Sequence, residues 1–379
     1  MNFLFVCGGT AGHINPALAI AEEVRRVAPD SKVLFVGAGK EMEKRLIPQA
    51  GFHLVNINMS GFRRSFKAED IAYNLGAVRS LTAAGLKADK LISKFKPHAV
   101  IGTGGYICYP VMRRAARRGI PTVVHESNAV PGLTTKLLSA TVDKVLISFP
   151  GLEEQYRRPG CVVLTGTPVR GGFSHAPASD DMAPRCCKPL VVSFWGSLGA
   201  ERMNEVMTDF ILRNIEAGSF YHIHAAGKGA AVDAMKNRLR KLGGPYELPL
   251  GIEIREYIND MQSVMAKADL VMCRAGGSTI AELTCLGKPA LLIPSPYVTN
   301  DQQMKNAKQV EKAGGAIMLQ EKDCTGEILY NAVSSILGDE RKRGEMSVAQ
   351  KALGVPDSAG KIVGIIMELC KRREEGEVS

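Results

Sequence analysis

Four glycine-rich runs stand where chemistry on an anion could be done. Gly8-Gly9-Thr10-Ala11-Gly12-His13 follows the apolar run Phe3–Cys7, and Gly102-Thr103-Gly104-Gly105-Tyr106 follows Ala99–Ile101. Trp195-Gly196-Ser197-Leu198-Gly199-Ala200 follows Leu190–Phe194. Arg274-Ala275-Gly276-Gly277-Ser278-Thr279-Ile280-Ala281-Glu282 follows Leu270–Cys273. Without a Cβ, glycine lets the backbone approach a ligand closely, and the N–H groups at a helix start favour negative charge. The fourth run adds hydroxyls that suit a diphosphate. It also carries Glu282 about one turn into a helix, where a carboxylate can accept two hydrogen bonds from a ribose diol. No run is a G-x-G-x-x-G closed by an acidic residue, the dinucleotide fingerprint. Each alone also fits a tight strand-to-helix turn without a ligand, and Glu282 also fits a first-turn residue favoured by the helix dipole.

The elements that would position these loops alternate. Strand-like runs at Phe3–Cys7, Lys32–Val36, Ala99–Ile101, Thr122–Val124 and Lys144–Ile147 are separated by helical patterns at Pro16–Val27 and Glu41–Ala50. After the turn-rich Gly166–Gly172 and the irregular Ser174–Pro189, the pattern restarts. Leu190–Phe194, Tyr221–Ala225, Ile252–Arg255, Leu270–Cys273 and Ala290–Ile293 are its strands, and Lys361–Lys371 is a final basic helix. Such alternation predicts an α/β chain of two Rossmann-like, doubly wound halves, with ligands at the carboxyl ends of the strands and the cleft between the halves as the default site.

The length of 379 residues suits two domains, and 45% hydrophobic with 23% charged residues is a globular profile. No apolar run reaches the ~18–20 residues that span a bilayer, and the start lacks signal-peptide features, so a cytosolic chain is expected. The nine cysteines include no CxxC pair, and adjacent Cys186 and Cys187 suit neither zinc nor an ordinary disulfide. Reduced, mostly buried thiols are expected. Residues 1–170 hold 23 Lys and Arg against 12 Asp and Glu, whereas residues 171–379 hold 25 against 26. That asymmetry points to an anionic partner for the first half, nucleic acid or lipid surface, unless it serves solubility alone.

In order and spacing these blocks resemble the MurG family of glycosyltransferases along nearly the whole chain. Gly8–His13 with Asn15-Pro16-Ala17 is similar to the family's GGTGGHxxPA, with Ala11 in place of Gly. Gly102–Tyr106 resembles GxGGY, and His125-Glu126-Ser127-Asn128-Ala129 resembles HEQNA. Thr165–Arg170 is similar to TGNPVR, Gly196–Ala200 to GSxGA, and Arg274–Glu282 to the donor-binding helix start. Asp301-Gln302-Gln303 with Asn306-Ala307 resembles the segment after it. Trp195 departs from the small residue common in the family, as Ser127 and Thr167 depart from Gln and Asn.

The resemblance implies the GT-B architecture. A first domain at 1–167 would bind acceptor and membrane, with a C-terminal helix at about 357–379 packing back on it, and 168–356 would bind UDP-GlcNAc. It implies an inverting transfer of GlcNAc from UDP-GlcNAc to the C4 hydroxyl of MurNAc in undecaprenyl-diphosphate-MurNAc-pentapeptide, a step of peptidoglycan synthesis. His13 is the first candidate base, as an imidazole suits proton removal from a hydroxyl, and Glu126 is the second. The plainer alternatives are a loop-bonded histidine and a loop-anchoring carboxylate. The donor is expected at Thr10, Ala11, Gly12, Asn128, Arg170, Ser197, Ile258, Gly277, Ser278, Thr279, Ile280, Ala281, Glu282 and Gln303. The acceptor diphosphate is expected at Gly9, Gly12, Gly104, Gly105 and Tyr106. The chain has no DxD, so no metal and no cofactor are expected.

A lipid-held acceptor gives the basic half a reason. Phe62-Arg63-Arg64-Ser65-Phe66-Lys67, the apolar Ile71, Tyr73, Leu75 and Val78, and the Arg113-Arg114 and Arg117-Arg118 pairs would meet an anionic membrane surface, peripherally and on the cytoplasmic face of the inner membrane. The stripe Ile71–Val78 equally fits a core-facing helix. Rival readings are a diacylglycerol glycosyltransferase and a UDP-GlcNAc 2-epimerase on the same fold. A nucleic-acid-binding module lacks any recognised motif here, and no nucleic-acid partner is expected.

Overall fold

Among the described residues, thirteen short parallel strands alternate with helices in two separate sheets. The structure, a computed structural model, describes residues 1–59, 68–170, 188–196, 199–355 and 357–376, and over 68–78 the backbone alone. Contacts divide the chain into two compact units, Met1–Gly171 with Asp357–Ser379, and Gly172–Pro356.

In the first unit the strands are β1 (Asn2–Val6), β2 (Lys32–Gly37), β3 (His53–Asn56), β4 (Ala99–Gly102), β5 (Thr122–Glu126), β6 (Lys144–Ile147) and β7 (Val162–Leu164). Their spatial order is β3-β2-β1-β4-β5-β6-β7. The helices between them are α1 (Ala11–Val27), α2 (Glu41–Gln49), α3 (Ala68–Phe95), α4 (Cys108–Arg117) and α5 (Leu133–Leu138). The second unit repeats the plan with β8 (Leu190–Phe194), β9 (Tyr221–Ala225), β10 (Ile252–Arg255), β11 (Leu270–Cys273), β12 (Ala290–Leu292) and β13 (Ala316–Met318), in the order β10-β9-β8-β11-β12-β13. Its helices are α6 (Glu201–Ala217), α7 (Ala231–Lys241), α8 (Met261–Lys267), α9 (Gly277–Leu286), α10 (Gln302–Lys312), α11 (Gly326–Leu337) and α12 (Glu340–Leu353). The last helix, α13 (Ser358–Glu374), packs on α1 and adds Ile362, Val363, Ile366 and Cys370 to the first core.

Central strands read as unbroken apolar runs because helices cover both faces of a parallel sheet. β1, β4, β5, β8 and β11 are buried along nearly their whole length. Three of the four edge strands, β3, β7 and β13, are half-exposed and do not stand out in the sequence pattern, whereas the fourth, β10, does, with buried and less buried residues alternating. The first helix starts at Ala11 rather than at Pro16, which lies inside it. Pro16 withholds only the N–H that would have met the carbonyl of Gly12, so the early turns tolerate it.

Each sheet has one switch point where strand order reverses, β1 against β4 and β8 against β11. All four glycine runs leave those four strands at their carboxyl ends. Crevices at such points are where ligands of open α/β sheets bind.

Candidate active site

At the first switch point the two glycine loops interlock. The Gly8 N–H donates to the Gly104 carbonyl at 3.2 Å, and Thr103 Oγ1 donates to the His13 carbonyl at 2.7 Å. His13 Nδ1 lies 2.8 Å from the Gly8 carbonyl. A carbonyl can only accept, so Nδ1 carries the hydrogen, and in the neutral ring Nε2 holds the lone pair. Nε2 has no partner among the described residues. Gly104 is obligatory, since a Cβ there would sit 2.4 Å from His13 Cδ2 and its φ is +119°. Thr10 precedes α1 without capping it through its side chain, and the first turn holds no acidic residue. The N–H groups of Ala11 and Gly12 therefore stay open to an anion. Gly9, Gly12, Gly104 and Gly105 are thus brought together around His13, with Tyr106 exposed beside them.

Glu126, the second candidate base, is held otherwise. It is buried at the end of β5. Its Oε1 accepts from Asn128 N at 3.2 Å and Nδ2 at 2.9 Å, and its Oε2 accepts from Gly132 N and Thr135 Oγ1, each at 2.9 Å. Four donors on two oxygens fit the loop-anchoring alternative, and Asn128 is drawn toward the carboxylate. Arg170 pairs with Glu22 of α1 at 2.7 Å inside the first unit. One residue that the sequence reading passed over is Glu43, wholly buried, whose Oε1 accepts from Gly9 N at 2.8 Å. Its local signal is a carboxylate three residues after Lys40 at a helix start, where it accepts the Lys40 N–H at 3.0 Å.

At the second switch point α9 opens without a side-chain cap and without an acidic residue in its first turn. Gly277 begins it, Thr279 is half-buried there, and Ser278 Oγ is buried without a partner. These are the open donors a diphosphate would use. Glu282 stands about one turn on, half-buried, with no hydrogen bond or ion pair among the described residues. Burial pushes its carboxyl up to about 7. Beneath the loop, buried Arg274 donates to the Ile293 carbonyl at 3.1 Å, pairs with Glu321 at 2.7 Å and lies 5.6 Å from the Trp195 ring. Trp195, the departure from a small residue, is thus buried against Arg274 at the start of the loop that opens α9. Gln303 Oε1 accepts from Ser295 N at 2.8 Å. The side chains of Ile258 and Ile280 are in the core, so these two residues can meet a ligand only through backbone, and Ala281 is half-buried. Ser197 lies outside the described residues.

The basic surface divides in the same way. Phe62–Lys67, and the side chains of Ile71, Tyr73, Leu75 and Val78, lie outside the described residues. Arg114 of α4 and Arg118, which caps it, both pair with Asp89 of α3, at 2.8 and 3.0 Å. Arg113 covers the Tyr109 ring and Arg117 is exposed. Among the described residues no helix is long and apolar enough to cross a membrane. The first unit holds 27 basic against 17 acidic residues and the second 21 against 21, so the whole excess charge belongs to the first. All seven described cysteines are free, and six are buried.

Known proteins match both units in order. Residues 3–147 match the glycosyltransferase family 28 N-terminal domain, and residues 190–362 the family 28 C-terminal domain. The chain is 40% identical to a UDP-N-acetylglucosamine–N-acetylmuramyl-(pentapeptide) pyrophosphoryl-undecaprenol N-acetylglucosamine transferase of Acetivibrio thermocellus, over 99% of this chain and 100% of that protein. The crystal structure of MurG from Acinetobacter baumannii superposes with a TM-score of 0.75 at 24% identity, covering 97% of this chain and 100% of that one. A UDP-GlcNAc 2-epimerase from Neisseria meningitidis, bound to UDP-GlcNAc, shares the fold at a TM-score of 0.67 and 14% identity, covering 97% and 100%. Two Rossmann-like units, two matched domains in sequence and identity sustained from end to end leave one assignment: the chain is an enzyme that belongs to glycosyltransferase family 28.

Proposed function

We propose that the protein transfers GlcNAc from UDP-GlcNAc to the C4 hydroxyl of MurNAc in undecaprenyl-diphosphate-MurNAc-pentapeptide, with inversion at the anomeric carbon. Full-length identity to a transferase named for these two substrates supports the substrate pair. The observation that carries the chemistry is the His13 imidazole, with Nδ1 held by the Gly8 carbonyl and Nε2 open. As the C4 oxygen bonds to the anomeric carbon, its proton passes to Nε2. The bond to UDP breaks, and its electron pair leaves on the β-phosphate oxygen. The open amides of α9 with Ser278 and Thr279 stabilise that charge, and Glu282 receives the ribose hydroxyls. Gln303 and Asn128 address the sugar, Arg170 and Ser197 the donor diphosphate, and the backbone of Ile258 the uracil. The acceptor's diphosphate takes the amides around Gly9, Gly12, Gly104 and Gly105. Helix-start donors serve in place of a metal, and the basic first unit docks peripherally on the anionic inner face of the membrane.

The test is transfer of labelled GlcNAc to a lipid-linked MurNAc-pentapeptide with EDTA present. Product at an undiminished rate is expected. Conversion of UDP-GlcNAc to its 2-epimer, without transfer, would replace this reading by the epimerase one.

A further inference from the structure

The N–H of Gly9 and the carbonyl of Gly8 belong to one peptide group. That peptide bond is trans, since none among the described residues is cis, so the two point in opposite directions within a rigid plane. On one side Glu43 Oε1 accepts the Gly9 N–H at 2.8 Å. On the other the Gly8 carbonyl accepts His13 Nδ1–H at 2.8 Å. A carboxylate, a peptide group and an imidazole thus form one continuous chain of hydrogen bonds.

Glu43 is itself immobilised. It is 0% exposed, and its Oε2 accepts the N–H groups of Gly39 at 2.8 Å and Lys40 at 3.0 Å. The turn after β2 therefore holds the carboxylate, and the carboxylate holds the turn after β1. Gly9 has a φ of +91°, a conformation that glycine adopts freely and that only an external bond keeps in one place. Hydrogen bonds in series polarise one another, so a carboxylate on the N–H makes the far carbonyl a stronger acceptor.

We propose that Glu43 is a positioning residue: acting through the Gly8–Gly9 peptide, it holds His13 in the Nδ1–H tautomer and leaves Nε2 as the proton acceptor. The catalytic weight of this rests on the reading of His13 as base, but the coupling itself does not. A carboxylate that orients a histidine usually bonds the ring directly, and here a peptide plane stands between them.

The experiment uses the full chain labelled with 15N-histidine. The His13 signals are assigned by their loss in His13→Ala. The parent is expected to show the Nδ1–H tautomer, and Glu43→Gln, which puts an amide donor among N–H groups, a shift toward Nε2–H. The same variant should lose about 10²-fold in kcat, the effect of a misplaced catalytic group, with KM for UDP-GlcNAc unchanged within about 2-fold. An unchanged tautomer in folded Glu43→Gln overturns the proposal. If that variant does not fold, Glu43→Asp gives the same readout, since it keeps a carboxylate near Gly39 and Lys40 but draws it back from Gly9. Undiminished transfer by His13→Ala would instead sink His13 as base and leave the tautomer result to decide the coupling.

Discussion

The ring of His13 lies so close against Gly104 that a methyl group on that residue would come within 2.4 Å of Cδ2 and 2.8 Å of Nε2. The second glycine loop thus serves as the wall that sets the angle of the imidazole, whatever else it binds. Gly104→Ala is expected to push the ring aside and to strain a φ of +119°. Transfer should fall by about 10²-fold or more, since small displacements of a reacting group cost that much. UDP-GlcNAc binding should persist, read from Trp195, the chain's single tryptophan. Near-normal turnover would remove His13 from the reaction.

Glu282 predicts opposite effects on stability and binding. Its carboxyl is raised from 4.5 to about 7. Between those values the folded chain keeps a proton that the unfolded chain has released, so stability declines as pH rises through that window, by at most about 3 kcal/mol. Glu282→Gln should therefore match the parent near pH 4.5 and exceed it in thermal stability at pH 8. The same change should weaken UDP-GlcNAc binding by about 10–100-fold, the worth of hydrogen bonds to a charged acceptor. Melting curves at both pH values and a Trp195 titration check both halves. A variant less stable than the parent at pH 8 would contradict the burial argument.

Acid should weaken the second unit through two histidines the reaction does not use. Ser193 Oγ lies 2.8 Å from His222 Nε2 and 2.7 Å from His224 Nδ1, all three fully buried under the sheet. Burial lowers both imidazoles, His224 to about 3 and His222 well below 6.5. Below pH 6.5 the unfolded chain takes up protons that the folded chain refuses, so stability falls as pH drops from 6.5. At pH 5 the loss from His224 is about 2 kcal/mol, and His222 adds to it in the same direction. Denaturant midpoints followed by Trp195 fluorescence at pH 7 and pH 5 should separate accordingly, and equal midpoints would refute it.

The three arginines of α4 and Arg118, which caps it, should not contribute equally at a membrane. Arg114 and Arg118 are tied to Asp89, while Arg113 and Arg117 pair with no carboxylate among the described residues. Arg113→Ala and Arg117→Ala should each weaken pelleting with anionic vesicles by up to about 5-fold at low salt, and less at high salt. Arg114→Ala should instead lower the melting temperature by loosening α3 from α4. Equal vesicle effects from all four would show that the Asp89 pairs do not restrain them.

The sequence alone determined the architecture and the loops at which ligands are proposed to bind. Alternating apolar runs and helical spacing are local properties, and strands buried on both faces display them without help from the rest of the fold. The glycine loops were legible for the same reason, since a turn with positive φ must declare itself by residue type at that position. Edge strands such as β3 and β13 were not legible, because half-exposed residues carry little pattern. What only the tertiary structure decided is which groups meet. Glu43 lies 34 residues from Gly9, and nothing within either segment announces the bond. Glu126 could be read from the sequence as base or loop anchor, and only the fold shows four donors on its oxygens; Arg114 could be read only as one of a basic cluster, and only the fold sets Asp89 of α3 against it. A carboxylate or a guanidinium has the same chemistry wherever it stands in the chain. Its role is set by the partners that strand order and helix packing bring within about 3 Å, a distance at which hydrogen bonds form.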